Sequence, residues 1–161
     1  MGRYRELIRM IMRYNNLFSR RLSEKAFDGY GLSLTAQQWQ TLECIIEYED
    51  TNLHMAYFAK QLGLPKSSFS KHVQSLVECG LVERYQHANN RKNVVLKPSE
   101  KGLALYRKNS AIILESGWKD VFAIMKDLRD EDLEVMVKFM EALAAELEPE
   151  NNKVFALMKL P

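Results

Sequence analysis

A mainly helical chain with one small antiparallel β-hairpin is predicted by three features of the sequence. Apolar residues recur at three- and four-residue spacing over most of the length, and glycines stand just past several of these stretches. A pair of apolar runs, "LVERYQH" and "NVVLK", flanks the polar segment "ANNRKN" at 88–93. The 161 residues, 47% hydrophobic, suffice for a single domain over 1–161 with a real core. Only 7 Gly and 4 Pro are spread through the chain, which argues against disorder and against a turn-dense barrel. No apolar run reaches the roughly 18 residues of a transmembrane helix. Arg5, Arg9 and Arg13 interrupt the apolar residues at the start, so no secretory signal is read there. Two cysteines, Cys44 and Cys79, make no disulfide framework, and a reducing cytoplasm is the expected location.

In chain order, the first element is one long helix over 4–27, with Tyr4, Leu7, Ile8, Ile11, Leu17, Phe18 and Leu22 at helical spacing. "GYGLSLT" (29–35) breaks it. "LTAQQW" is a helix-start signature: Thr35 caps, Gln38 closes a capping box, and Leu34 staples against Trp39. The helix it opens, about 36–48, should bury Trp39, Leu42, Ile45 and Ile46. A short helix over about 54–62 follows, with Phe58 and Leu62 as its apolar edge, small Ala59 for close packing, and Gly63 after its last turn.

"LPKSS" turns the chain into a helix over about 66–79 with Phe69, Val73, Leu76 and Val77 inward. Its other face reads Ser67, Ser68, Ser70, Lys71, Gln74 and Ser75. Serine is a mediocre helix former, so this face is not built for helix stability. Short hydroxyls let another backbone or a groove approach closely while offering hydrogen bonds. Gly80 ends that helix, and the hairpin follows. Pro98 and Ser99 stop its second strand and start a long helix over about 100–126, in which Leu103, Tyr106, Ile113 and Phe122 are apolar. Acidic "DLRDEDL" suits the first turn of a last helix, about 131–148, expected to bury Leu133, Met136, Val137, Met140, Leu143 and Leu147. The tail "VFALMKLP" is too apolar to hang free and is expected to dock, for instance on a partner subunit.

Charge is distributed unevenly. Residues 1–28 carry a net +4, 29–53 a net −4, 54–101 a net +5 and the remainder a net −3. A basic middle between acidic flanks is the pattern of a localised anion-binding surface. Within that segment stand a short helix, a tight turn, a second helix with a polar outer face, and a hairpin with a basic tip. That order is a winged helix-turn-helix. A helix fits the major groove of B-DNA, where side chains reach base edges. A guanidinium on a hairpin tip suits the adjacent minor groove, where negative potential concentrates.

The run from Leu34 to Gly102 resembles the MarR family of bacterial transcriptional regulators, carried by "LTAQQWQTL", "FAKQLGLPKSSFSKHVQSLVECGLVER" and "NNRKNVVLKPSEKG". With the flanking long helices the resemblance extends to about residue 148. It implies a homodimer whose first and last helices interlock, with 1–33 and 103–161 as the helical dimerisation region and 34–102 as the DNA-binding region. It also implies a sequence-specific transcriptional regulator, a repressor relieved by an effector, acting on a pseudo-palindromic operator. Lys66, Ser67, Ser68, Ser70, Lys71 and Gln74 would then face the major groove. Arg91, with Lys92, would sit at the minor groove, and Arg84 would match a basic position in the strand leading to the wing. Lys66, Lys71 and Arg84 are expected to hold phosphates, and Ser67, Ser68, Ser70 and Gln74 to read bases. Two departures stand out. Asn89 occupies the place where the family carries an Asp that fixes the wing-tip arginine, and Pro98–Ser99 replaces the usual "LT".

Other chemistries find less support. His54, His72 and His87 have no metal-ligand spacing, no base–orienter pair activates a serine or cysteine, and no glycine-rich phosphate loop is present. No enzyme activity, cofactor or metal is therefore expected. Cys79 follows Glu78 at the negative end of a helix, the wrong place for a reactive thiolate, so both cysteines read as structural, with redox sensing as the alternative. Similar regulators bind small aromatic or phenolic effectors in a cleft, for which Met12, Tyr14, Phe18, Trp39, Tyr48 and Tyr57 are the candidates, with core packing as the alternative for each. A reading from another class is a winged-helix protein-interaction module that never grips DNA.

Overall fold

The computed structural model describes residues 2–22, 24–29, 31–51, 53–87 and 90–147. After a single 3-10 turn (Gly2–Tyr4) the elements run α1 (Arg5–Arg21), β1 (Lys25–Gly29), β2 (Leu32–Thr35), α2 (Ala36–Glu47), α3 (Met55–Gln61) and α4 (Lys66–Glu78). They continue with β3 (Val82–His87), β4 (Asn90–Pro98), α5 (Glu100–Ile112), a π-helical turn (Ile113–Gly117), α6 (Lys119–Met125) and α7 (Asp130–Leu147). The chain divides into two compact units, Met1–Ile112 and Ile113–Pro161.

In the first unit the expected helix over 4–27 stops at Arg21. Residues 25–29 instead form a strand that pairs antiparallel with β2, in the register Phe27↔Leu34, Asp28↔Ser33 and Gly29↔Leu32. The helical apolar spacing ends at Leu22, and Gly31, with φ 69°, stands in the turn between the paired Gly29 and Leu32. Hairpin pairing then satisfies the backbone groups of 25–29 that a helix would otherwise have paired. No residue of α1 is buried.

The capping box forms as expected. The Thr35 backbone N–H donates to Gln38 Oε1 at 2.9 Å, and the Gln38 N–H donates to Thr35 Oγ1 at 3.2 Å. Thr35→Ala should destabilise the protein by about 1 kcal/mol, read as a lower midpoint in chemical denaturation with an unchanged m-value. Trp39, Leu42 and Ile45 of α2 are buried as expected, while Ile46 is half-buried. They meet Phe58, Phe69, Val73 and Leu76, and the core continues through Leu81, Val82, Val95, Leu96 and Leu105. Phe58 and Phe69 stack with ring centroids 6.2 Å apart, which ties α3 to α4.

Both helices of this pair end in the same hydrogen-bonded motif. After α3, Leu64 N–H donates to Ala59 O and Gly63 N–H to Lys60 O; after α4, Leu81 N–H donates to Leu76 O and Gly80 N–H to Val77 O. Gly63 and Gly80 take φ of 62° and 70°, which only glycine adopts without strain. The first motif sets the turn into α4, and the second sets the exit into β3.

Strands β3 and β4 form an antiparallel hairpin, and His54 adds an isolated bridge to Val95. The polar loop over 88–93 is shorter than expected, because β4 already begins at Asn90. The register jumps from Gln86↔Val94 to His87↔Asn90, so Arg91, Lys92 and Asn93 fall in a bulge between two paired positions. Past β4, Ser99 caps α5 as expected: its Oγ accepts from Gly102 N–H at 3.0 Å and donates to Gly80 O at 2.7 Å.

The expected single helix over 100–126 is broken. At Ile113–Gly117 the backbone widens to a π turn, closed by Trp118 N–H donating to Ile113 O at 3.0 Å. Ser116 and Gly117 are weak helix formers, and they let the ladder accept an extra residue there. In the second unit α7 does not bury its apolar residues as expected. Met136, Val137, Met140 and Leu147 are exposed, Leu147 to 79%, and Leu133 and Leu143 are half-buried. No residue of the 18-residue α7 is buried. The expected docking of the tail "VFALMKLP" concerns residues outside the described ones.

Candidate nucleic-acid interface

Helix α4 carries most of the candidate residues. Phe69, Val73 and Leu76 fix its inner face, and that leaves Lys66, Ser67, Ser70, Lys71 and Gln74 exposed. Ser68 is half-buried. Ser75, expected on the outward face, is half-buried and accepts a hydrogen bond from Gln38 Nε2 at 2.9 Å. One turn earlier, His72 is also half-buried, with Nδ1 3.4 Å from Thr41 Oγ1, and burial pushes its pKa below the ordinary histidine value. Ser75 and His72 thus anchor α4 to α2, and the outer face is correspondingly narrow.

Arg84 on β3 is exposed and donates from Nη1 to Gln74 Oε1 at 2.9 Å, while Gln74 Nε2 donates to Glu78 Oε1 at 2.7 Å. The structure therefore brings Arg84 alongside α4. Glu78 is the member of this chain that sequence reasoning missed, although its i,i+4 spacing from Gln74 was a usable signal. The backbones of Arg91 and Lys92 lie in the bulge at the start of β4. Asn89 falls outside the described residues.

Among the described residues of the +5 segment, two lysines serve helix ends. Lys97 Nζ donates to the carbonyls of Glu49 and Thr51 just past α2, and Lys101 Nζ donates to Cys79 O at the end of α4. Cations at helix C-termini are stabilising, since they face unpaired carbonyls and the negative end of the dipole.

The candidate effector residues are placed in several clusters. Tyr14 stacks on Phe18 at 5.6 Å, Trp39 stacks on Tyr106 at 5.7 Å, and Tyr48 meets Tyr57 edge-on at 5.6 Å. Met12 is exposed on α1. A groove of about 540 Å³ is lined by Gln40, Glu43, Cys44, Glu47, Tyr48, Gln61 and Leu62, so of the six only Tyr48 contributes to it. Cys44 is buried, and burial, with Glu47 and Glu43 adding, pushes its thiol up to about 11. A thiol so rarely ionised at neutral pH is a poor nucleophile. Among the described residues no group of three His, Cys, Asp or Glu could hold a metal ion, and no helix is long and apolar enough to cross a membrane.

Comparison with known proteins agrees with this architecture. Residues 30–92 match the model of the MarR family. No curated protein matches the chain by sequence. Among solved structures, a MarR/EmrR family transcriptional regulator from Acinetobacter sp. ADP1 superposes with a TM-score of 0.64 at 16% identity, covering 91% of this chain and 98% of that one. FabT of Streptococcus pneumoniae, solved in complex with DNA, gives 0.60 at 17% identity over 89% and 96%. The PcaV transcriptional regulator of Streptomyces coelicolor, solved with its natural ligand, gives 0.58 at 16% identity over 92% and 95%. At such identities the superpositions establish a shared fold, and the matched segment spans the helix pair and most of the hairpin. By that segment the chain is similar to the MarR family over residues 30–92, and by the superpositions it shares the winged helix-turn-helix fold of such regulators.

Proposed function

We propose that this protein is a sequence-specific double-stranded DNA-binding transcriptional regulator rather than an enzyme. It acts in the cytoplasm as a homodimer on a pseudo-palindromic operator. The observation that carries this reading is the outer face of α4. Its inner side is locked into the core, and the exposed Lys66, Ser67, Ser70 and Lys71 lie in the most basic segment of the chain. Small hydroxyls let the helix sit deep in a major groove, and the lysines neutralise flanking phosphates. Lys92 and the wing-tip Arg91 serve the adjacent minor groove, with Asn89 between them and β3. That FabT has been solved on DNA supports the reading by likeness of fold.

The homodimer is supported by the apolar residues that one chain leaves uncovered. Tyr4 in the opening turn and Leu7, Met10, Met12, Tyr14 and Leu17 on α1 are exposed, and on α7 so are Val135, Met136, Val137 and Met140. Large apolar side chains left exposed together on a helix mark protein contacts. Val137→Asp is expected to dissociate the dimer in sedimentation velocity at micromolar concentration, and a dimer that survives would remove α7 from the interface. Repression relieved by a small aromatic or phenolic effector completes the proposal. PcaV, solved with its natural ligand, supports it by likeness of fold only.

The direct test is fluorescence anisotropy with duplex DNA from upstream of the gene against a scrambled duplex, over a salt series. Sequence-dependent binding whose log affinity falls steeply with log salt is the expected result. Arg91→Ala should then weaken operator binding by about 1–3 kcal/mol; an unchanged affinity would show the wing idle. No binding to any duplex at low salt would favour the protein-interaction module instead.

A further inference from the structure

The Arg84–Gln74–Glu78 chain has a property its members lack singly. A glutamine amide has one accepting end and one donating end, a guanidinium only donates, and a carboxylate only accepts. Reversing the Gln74 amide would set NH₂ against guanidinium and oxygen against carboxylate, so one orientation alone is compatible with both neighbours. Bidentate recognition of adenine by a glutamine uses the same amide oxygen and NH₂. In this structure they are engaged with Arg84 at 2.9 Å and with Glu78 at 2.7 Å. Glu78 has no helix-stabilising reason to stand where it does. It is the last residue of α4, and an anion at a helix C-terminus is unfavourable.

We infer that Gln74 is a positioning residue for Arg84 rather than a reader of bases, with Glu78 setting the orientation of its amide. Gln74 holds one guanidinium N–H of a strand residue ten positions away and keeps Arg84 beside the outer face of α4. The remaining donors of the guanidinium are then presented to a phosphate beside the groove in a set direction. This inference rests on the DNA-binding reading above and refines one residue of it.

The test uses the full-length dimer and variants Gln74→Met, Arg84→Ala and the double variant. Methionine keeps length and helix propensity while removing both polar ends. Arg84→Ala should lower the slope of log affinity against log salt by about one. Gln74→Met should weaken every duplex alike, by about two- to fivefold, the range for an exposed hydrogen-bonded pair. The double variant should bind no more weakly than Arg84→Ala alone. In the free protein, ¹⁵N relaxation should show the Arg84 Nε–H losing order in Gln74→Met. A changed preference at a single base pair, losses that multiply in the double variant, or an unchanged Arg84 order parameter would each overturn the inference. Failure of the functional reading looks different: the parent protein itself would bind no duplex, while the relaxation measurement on free protein would still decide whether Gln74 positions Arg84.

Discussion

Phe69→Ala is expected to destabilise the protein by about 3–5 kcal/mol, the range for truncating a buried phenylalanine. Phe69 is 1% exposed and stacks on Phe58, itself 1% exposed, with the two rings only 8° from parallel. Removing it leaves a cavity where α3 and α4 meet, and neighbours can fill it only by moving α4. In a chain of this length each kcal/mol lowers the melting midpoint by roughly 2–4 °C, so a drop on the order of 10 °C should appear in a thermal melt. Phe69→Leu, which keeps most of the volume, should recover much of the loss. If Phe69→Ala melts within about 2 °C of the parent, the stacked pair is not the centre of the helix-turn-helix core.

The second large effect concerns Gly102, in the first turn of α5. A Cβ there would fall inside van der Waals distance of the Leu81 carbonyl oxygen and 3.1 Å from its carbonyl carbon. That carbonyl also accepts the Ser99 N–H at 3.0 Å, and Leu81 N–H is tied to Leu76 O at 2.9 Å. The backbone cannot move aside without loosening the start of α5 or the exit from α4. Intrinsic propensity argues the other way, since Gly→Ala within a helix stabilises by about 0.8–1.0 kcal/mol. The sign of the change therefore discriminates. We expect Gly102→Ala to destabilise by about 1–3 kcal/mol, as overpacking does, in chemical denaturation. A stabilised variant would show that α5 lies farther from the Leu81 backbone.

Much of this fold was legible because its signals are local. The Thr35–Gln38 capping box acts over three residues, the glycines at 63 and 80 end the helices they follow, and the apolar spacing of Phe69, Val73 and Leu76 repeats each turn. The candidate face of α4 was legible for the same reason, since the inner spacing leaves Ser67, Ser70 and Lys71 to the outside. Where two local readings competed, periodicity misled. Residues 25–27, expected within the first helix although its apolar spacing ends at Leu22, pair with residues 34 and 35 as a strand. The stretch across Ile113–Gly117 kept apolar spacing, yet the π turn divides it.

The sequence by itself determined the helix starts, their glycine ends, the order of helix pair and hairpin, and which segment is basic. All are consequences of interactions within a few residues, or of charge counted along the chain. Only the tertiary structure decided how the individual polar residues are used. Lys97 reaches carbonyls past α2, 46 residues earlier, Lys101 reaches the end of α4, and Ser75 turns inward to Gln38, 37 positions away. Gln74 and Arg84, alike to the eye as members of a polar surface, are joined by the packing of a strand against a helix. A long polar side chain takes whichever partner the folded backbone sets within about 3 Å, and spacing along the chain does not reveal which partner that is.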